Sequence, residues 1–168
     1  MIHLYIGNGK GKTSAAFGLA MRAAGHKMNV LVAQFLKSGG TGEINSLEKL
    51  GIPVIRSQKQ MKFVFNMNDK EKEQCRDEQI IILSKIKEII NKTGQTVLIL
   101  DEVIDALNTG MINEKELREF TELENSELVL TGRNPPQWLV ECAAYITEMR
   151  KIKHPFDSGI AARPGIEF

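Results

Sequence analysis

At 168 residues, 42% of them hydrophobic, the chain is long enough for one domain that buries its own core without staples. Its 22 basic and 21 acidic residues leave a formal charge of +1, which argues against a nucleic-acid partner held by bulk electrostatics. Cys75 and Cys142 lie far apart without ligand-like spacing, which speaks against a disulfide framework or a zinc site, and no run approaches the roughly 20 apolar residues needed to cross a bilayer.

The N-terminus reads as a strand, not a secretory leader, so a reducing cytoplasm is the expected location and no membrane is expected as a partner. Ile2 to Ile6 forms that strand, and Lys12 to Ala24 a helix ending near Gly25. Asn29 to Phe35 is a second strand, Glu43 to Leu50 a short helix and Pro53 to Arg56 a third strand. Residues 57 to 68 carry no clear period. Asn68 or Asp69 caps a long helix to about Asn91, with Ile80, Leu83, Ile86, Ile89 and Ile90 at helical spacing. Thr96 to Leu100 is the strongest strand, followed by a short helix over Val103 to Leu107. Asn113 and Glu116 make a capping-box start for a helix to about Glu124. Glu127 to Thr131 is a fifth strand, Pro136 to Ala143 a helix and Tyr145 to Met149 a sixth strand; 151 to 168 is an ordered tail.

Strands that are apolar without alternation are buried on both faces, as in a parallel sheet covered by helices. The expected fold is a single α/β domain over 1–168: a three-layer, P-loop NTPase-like (RecA-like) architecture with a mostly parallel sheet of about six strands.

Between the first strand and its helix lies Gly7-Asn8-Gly9-Lys10-Gly11-Lys12-Thr13-Ser14. Three glycines let the backbone curl so that N–H groups meet phosphate oxygens, and the helix start adds its positive dipole end. Lys12 reaches a phosphate as a point charge and the Thr13 hydroxyl ligates Mg²⁺. A nucleoside triphosphate, ATP above all, is the implied ligand. The usual phosphate loop has four residues between its first glycine and the Gly-Lys-Thr; here only three separate Gly7 from Gly11, and Ile6 stands where the glycine belongs. A tighter cradle should hold the phosphates differently from a γ-phosphate-transferring enzyme, so kinase or hydrolase chemistry does not follow from the loop alone. Asp101-Glu102, directly after the strongest strand, either holds Mg²⁺ or starts the next helix; spacing does not say which carboxylate meets the ion.

The whole chain resembles the P-loop family of ATP:corrinoid adenosyltransferases. The resemblance rests on GNGKGKTSAAFGLAMRAAGH at 7–26, QFLKSGG…GE at 34–43 and LILDEVIDALNTGMI at 98–112, with LVLTGRNPP at 128–136 and TEMRKIKHPFDSGIAARPGIEF at 147–168. It implies transfer of the 5′-deoxyadenosyl group of ATP to a reduced Co(I) corrinoid with release of tripolyphosphate. It also implies Mg²⁺ as cofactor, an electron-donating reductant and a homodimer. Members often carry an N-terminal extension, whereas here Met1 sits at the first strand. In this chemistry Lys12, Lys10 and the metal, held with Glu102, stabilise the departing polyphosphate. Arg22 is either a nucleotide contact or a solvated helix residue. Phe63 and Phe65, within 61–65, match the stretch that meets the corrinoid's lower face; the plain alternative is a Phe-x-Phe strand packed in the core. His3, His26 and His154 read as structural, Arg133 as a ligand contact or a structural ion pair, and Trp138 and Phe156 as packing anchors. The rival functions are a P-loop small-molecule or nucleoside kinase and a nucleotide-dependent binding module.

Overall fold

The computed structural model describes residues 1–37, 42–57, 59, 62–94 and 96–167. Positions 38–41 of the QFLKSGG…GE match, Met61 and Phe168 lie outside the described residues. Six strands, β1 (Ile2–Ile6), β2 (Val30–Gln34), β3 (Val54–Arg56), β4 (Val97–Asp101), β5 (Glu127–Gly132) and β6 (Tyr145–Glu148), form one sheet in the order β3-β2-β4-β5-β1-β6. Every pairing is parallel. All six strands therefore point their carboxyl ends at the same edge of the sheet.

The strands alternate between two cores, because successive side chains leave a strand on opposite faces. Leu31, Ala33, Leu98, Leu100, Leu128 and Leu130 face one way, onto α3 (Asp69–Thr93), α4 (Val103–Asn108), α5 (Glu114–Thr121) and α6 (Gln137–Cys142). Val30, Val32, Val97, Ile99 and Val129 face the other way, onto α1 (Lys12–Gly25) and α2 (Gly42–Lys49). This is the three-layer architecture. Burial on both faces is what makes the strand runs apolar throughout.

Local signals set the helix boundaries. Asn68 accepts from the Glu71 amide while the Glu71 side chain accepts from the Asn68 amide, and Asn113 with Glu116 repeats the arrangement at α5. Each reciprocal cap satisfies two amides that the helix leaves orphaned. Along α3 the core face comprises Cys75, Gln79, Ile82, Leu83, Ile86 and Ile90. Ile80, expected on that face, is exposed. In a run of consecutive isoleucines the periodicity alone does not single out the buried ones. A second correction concerns 63–65: Val64–Asn66 is a single 3₁₀ turn, not a core strand. A third is Phe156, whose ring is exposed instead of anchoring the tail; Trp138 does pack on the core, with the Arg118 guanidinium 4.0 Å above its ring.

Candidate active site: a phosphate loop at the sheet's carboxyl edge

The ends of β1, β2, β4 and β5 open onto a cleft of about 800 Å³. Open parallel sheets present ligand sites at this edge. Asn8 to Ser14 form its floor; Leu36, Lys37, Glu43, Lys62, Phe63 and Asn66 form one wall, Glu102, Asp105, Thr131 and Arg133 the other, and His154, Ile166 and Glu167 reach in from the tail.

The loop is fixed from outside itself. The Gly9 N–H donates to the Met149 carbonyl at 2.6 Å, just beyond β6, and the Lys151 N–H donates to Asn8 Oδ1 at 2.9 Å. A Cβ on Gly9 would stand 2.6 Å from Met149 O, and one on Gly7 2.5 Å from the same atom, so no side chain fits at either position. Gly7 also has φ +107°, which L side chains rarely adopt. The Gly9 amide is thus committed to the neighbouring strand instead of pointing inward, which corrects the simple picture of an uninterrupted row of phosphate-facing amides. Lys12 folds over the loop, its Nζ donating to the carbonyls of Gly7 at 2.8 Å and Gly9 at 2.9 Å. Burial lowers its pKa from the ordinary 10.5, and Arg133 adds to this against the opposing pull of Asp105, Glu102 and Asp101. Lys10 projects outward, its Nζ 3.9 Å from Glu167.

The acidic strand end is built differently for its two members. Asp101 is fully buried and saturated. Its Oδ1 accepts from Thr13 at 2.9 Å and Thr131 at 2.7 Å; its Oδ2 accepts from Gln34 at 3.1 Å and Lys37 at 3.1 Å. Thr131 Oγ1 also accepts from the Glu102 N–H at 2.8 Å, which helps hold Glu102 in a left-handed conformation, φ 61°. Such a backbone in a non-glycine residue is costly and concentrates at functional sites. It leaves the Glu102 side chain half-buried on the cleft wall, with Oε1 3.1 Å from Lys37 Nζ. Burial raises the Glu102 carboxyl above the ordinary carboxylate range, Lys37 opposes this, and Asp101 and Asp105 add to it. Asp105, one turn into α4, is raised by burial against the pull of Arg133.

Among the described residues no three His, Cys, Asp or Glu side chains cluster as a self-sufficient metal site. Thr13 Oγ1, Asp101 Oδ2 and Glu102 Oε1 nevertheless surround one cation, the Lys37 ammonium. An all-oxygen set of this kind suits Mg²⁺, which takes a few protein ligands and completes its shell with phosphates and water.

Most of the residues singled out in the sequence meet here: Asn8, Gly9, Lys10, Gly11, Lys12, Thr13, Ser14, Glu102 and Phe63 line the cleft, Gly7 shapes its floor and Asp101 lies behind the wall. Arg22 does not. It stands nearly three turns along α1, about 15 Å from the helix start, outside the residues that line the cleft. Phe65 flanks it, 81% exposed, its ring stacked on that of the 74% exposed Phe63 at 5.4 Å. His3, between Glu127 and the Tyr145 ring, is structural. His154 accepts from the Phe156 amide and also lines the cleft. Sequence reasoning gave no role to Lys37, Glu43, Asp105 or Glu167. Lys37 and Asp105 follow strand ends, a weak signal in a sequence, whereas Glu43 lies in the first turn of α2 and Glu167 in the tail. Among the described residues the buried Glu43 Oε2 has no hydrogen-bond partner.

Comparison with known proteins finds relatives that match along the whole chain. The corrinoid adenosyltransferase of Sinorhizobium sp is 36% identical over 173 residues, covering 100% of this chain and 80% of that protein. The corrinoid adenosyltransferase of Escherichia coli K12 is 31% identical, covering 100% and 85% respectively. Among solved structures, the ORC2 protein of Aeropyrum pernix, in ADPNP-ADP complexes, aligns over 89% of this chain and 41% of its own at TM-score 0.45 and 15% identity. The family model described as ATP:corrinoid adenosyltransferase BtuR/CobO/CobP matches residues 1–168, and the chain belongs to that family.

Proposed function

We propose that this cleft transfers the 5′-deoxyadenosyl group of ATP to a Co(I) corrinoid and releases tripolyphosphate whole. The observation that carries the reading is the continuity of the cleft: its floor is a cationic phosphate loop and its wall ends at an exposed aromatic, Phe63, stacked on Phe65. The cobalt electron pair attacks C5′, the C5′–O bond breaks, and its electrons leave on the tripolyphosphate oxygen. Cobalt goes from Co(I) to Co(III). No proton moves at carbon, so the site needs no general base.

The negative charge that develops is on the leaving group. Lys12 and the amides at the start of α1 receive it, Lys10 adds charge at the rim, and Ser14 borders the same floor. Bound Mg²⁺ would neutralise part of the polyphosphate charge. Thr13 and Glu102 are the residues to hold it; Asp101 lies fully buried behind them, its Oδ1 accepting from Thr13 and Thr131, and orients Thr13. Phe63 and Phe65 offer an apolar surface to the corrinoid's lower face, which favours loss of the lower axial ligand. Arg22 is left as a helix-surface residue.

The same reading treats 1–168 as one unit, since the tail's Lys151 and Glu167 meet the loop. An electron donor for the corrinoid, a homodimer and a cytoplasmic location are supported by kinship; among the described residues no helix is long and apolar enough to cross a membrane. Incubation with ATP, Mg²⁺ and a chemically reduced corrinoid is expected to give adenosylated corrinoid and tripolyphosphate, and Lys12→Ala to abolish both. ADP with a phosphorylated acceptor would identify a kinase instead; nucleotide binding without any corrinoid turnover would identify a binding module.

A further inference from the structure

Lys37 lies three residues beyond the end of β2 and reaches across to the end of β4. Its Nζ is 3.1 Å from Asp101 Oδ2, 3.1 Å from Glu102 Oε1 and 3.4 Å from Thr13 Oγ1. The Thr13 hydroxyl gives its proton to Asp101, so a lone pair, the one a metal would use, faces the ammonium. The two carboxylates and the hydroxyl thus already enclose a positive charge.

A divalent ion bonded to Thr13 and Glu102 would use two of the oxygens that now surround that ammonium. Two cations so close in a half-buried site repel strongly. Yet Lys37 is itself a cleft-lining residue on a flexible four-carbon stem, and a triphosphate in the loop would offer it a second anionic partner.

We propose that Lys37 is the resident cation of the nucleotide-free site, occupying the place of the divalent metal, so that metal enters only together with the triphosphate, onto which the Lys37 ammonium then turns. The inference rests on Thr13 and Glu102 being the metal's protein ligands. It makes Lys37 a positioning residue: it keeps the carboxylate pair compact while the site is empty and couples metal binding to nucleotide binding.

Mn²⁺, followed by its electron paramagnetic resonance signal, tests this on the full chain. Without nucleotide, Lys37→Met is expected to bind Mn²⁺ at least about tenfold more tightly than wild type, and Lys37→Arg to behave as wild type. With ATP present and corrinoid absent, the gap between wild type and Lys37→Met closes as both bind. Equal nucleotide-free affinities would overturn the proposal. Should Lys37→Met fold poorly, Lys37→Gln serves, and Mn²⁺ is expected to raise its melting temperature but not that of wild type; no rise overturns the proposal equally. The ligand assignment is judged separately: undiminished Mn²⁺ binding by Thr13→Ala in the presence of ATP would remove Thr13 as a ligand whatever Lys37 does.

Discussion

Thr13 and Asp101, 88 residues apart in the chain, are joined by a 2.9 Å hydrogen bond from the Thr13 hydroxyl to Asp101 Oδ1. That bond ties the start of α1 to the end of β4, and the same oxygen ties in β5 through Thr131. One carboxylate therefore sets the relative position of the phosphate loop and the acidic wall.

Removing that carboxylate should be expensive. Asp101→Ala leaves two threonine hydroxyls, the Gln34 amide and the Lys37 ammonium without their shared acceptor in a buried site. A loss of roughly 3–5 kcal/mol of unfolding free energy is expected, read from urea denaturation. A loss below about 1 kcal/mol would show that the network reorganises freely.

The loop's fit against β6 makes a second measurement sharp. In Gly9→Ala the new methyl meets the Met149 carbonyl, backbone against backbone, and neither can swing aside. We expect about 1–3 kcal/mol of destabilisation and nucleotide affinity reduced by about a hundredfold, measured by calorimetry. Gly18→Ala, inside α1 with open space around its Cβ, is the matched control and should be neutral or stabilising by up to about 1 kcal/mol.

The aromatic pair separates function from folding. Phe65 is exposed, so Phe65→Ala should change stability by no more than about 0.5 kcal/mol. The reaction fed with Co(II) and a reductant should slow by about tenfold, while the reaction fed with Co(I) loses much less. Equal losses in both would remove the lower-face role.

Glu102 gives the protein a particular pH response. Its folded pKa lies above its unfolded value, so the folded protein binds this proton more tightly than the unfolded chain does. The stability it contributes is complete below the unfolded pKa, about 4.3, and is lost as pH rises through the folded one. Glu102→Gln removes this dependence. In metal- and nucleotide-free protein, the unfolding free energy of the variant relative to wild type should climb as pH rises above the unfolded value; a flat difference would contradict the raised pKa.

The strands and capped helices were legible because their signals are local. Apolar runs such as Thr96 to Leu100 and the Asn113–Glu116 pair carry their structure in a few neighbouring residues. The phosphate loop was legible from its glycines and Lys12 for the same reason. What could not be read depends on distant partners. Nothing near Lys37 announces Asp101, 64 residues on, and nothing near Gly9 announces Met149. The strand alternative for 63–65 failed in another way: an aromatic alternation suits a strand, but among the described residues no strand pairs with the segment, which turns instead.

The contact between Gly9 and Met149 carries a consequence for biogenesis. A nascent chain emerging from the ribosome displays every glycine and lysine of the loop early, but the carbonyl that moulds it is synthesised some 140 residues later. The loop's outer face therefore gains its mould only once β6 has been made and has docked beside β1.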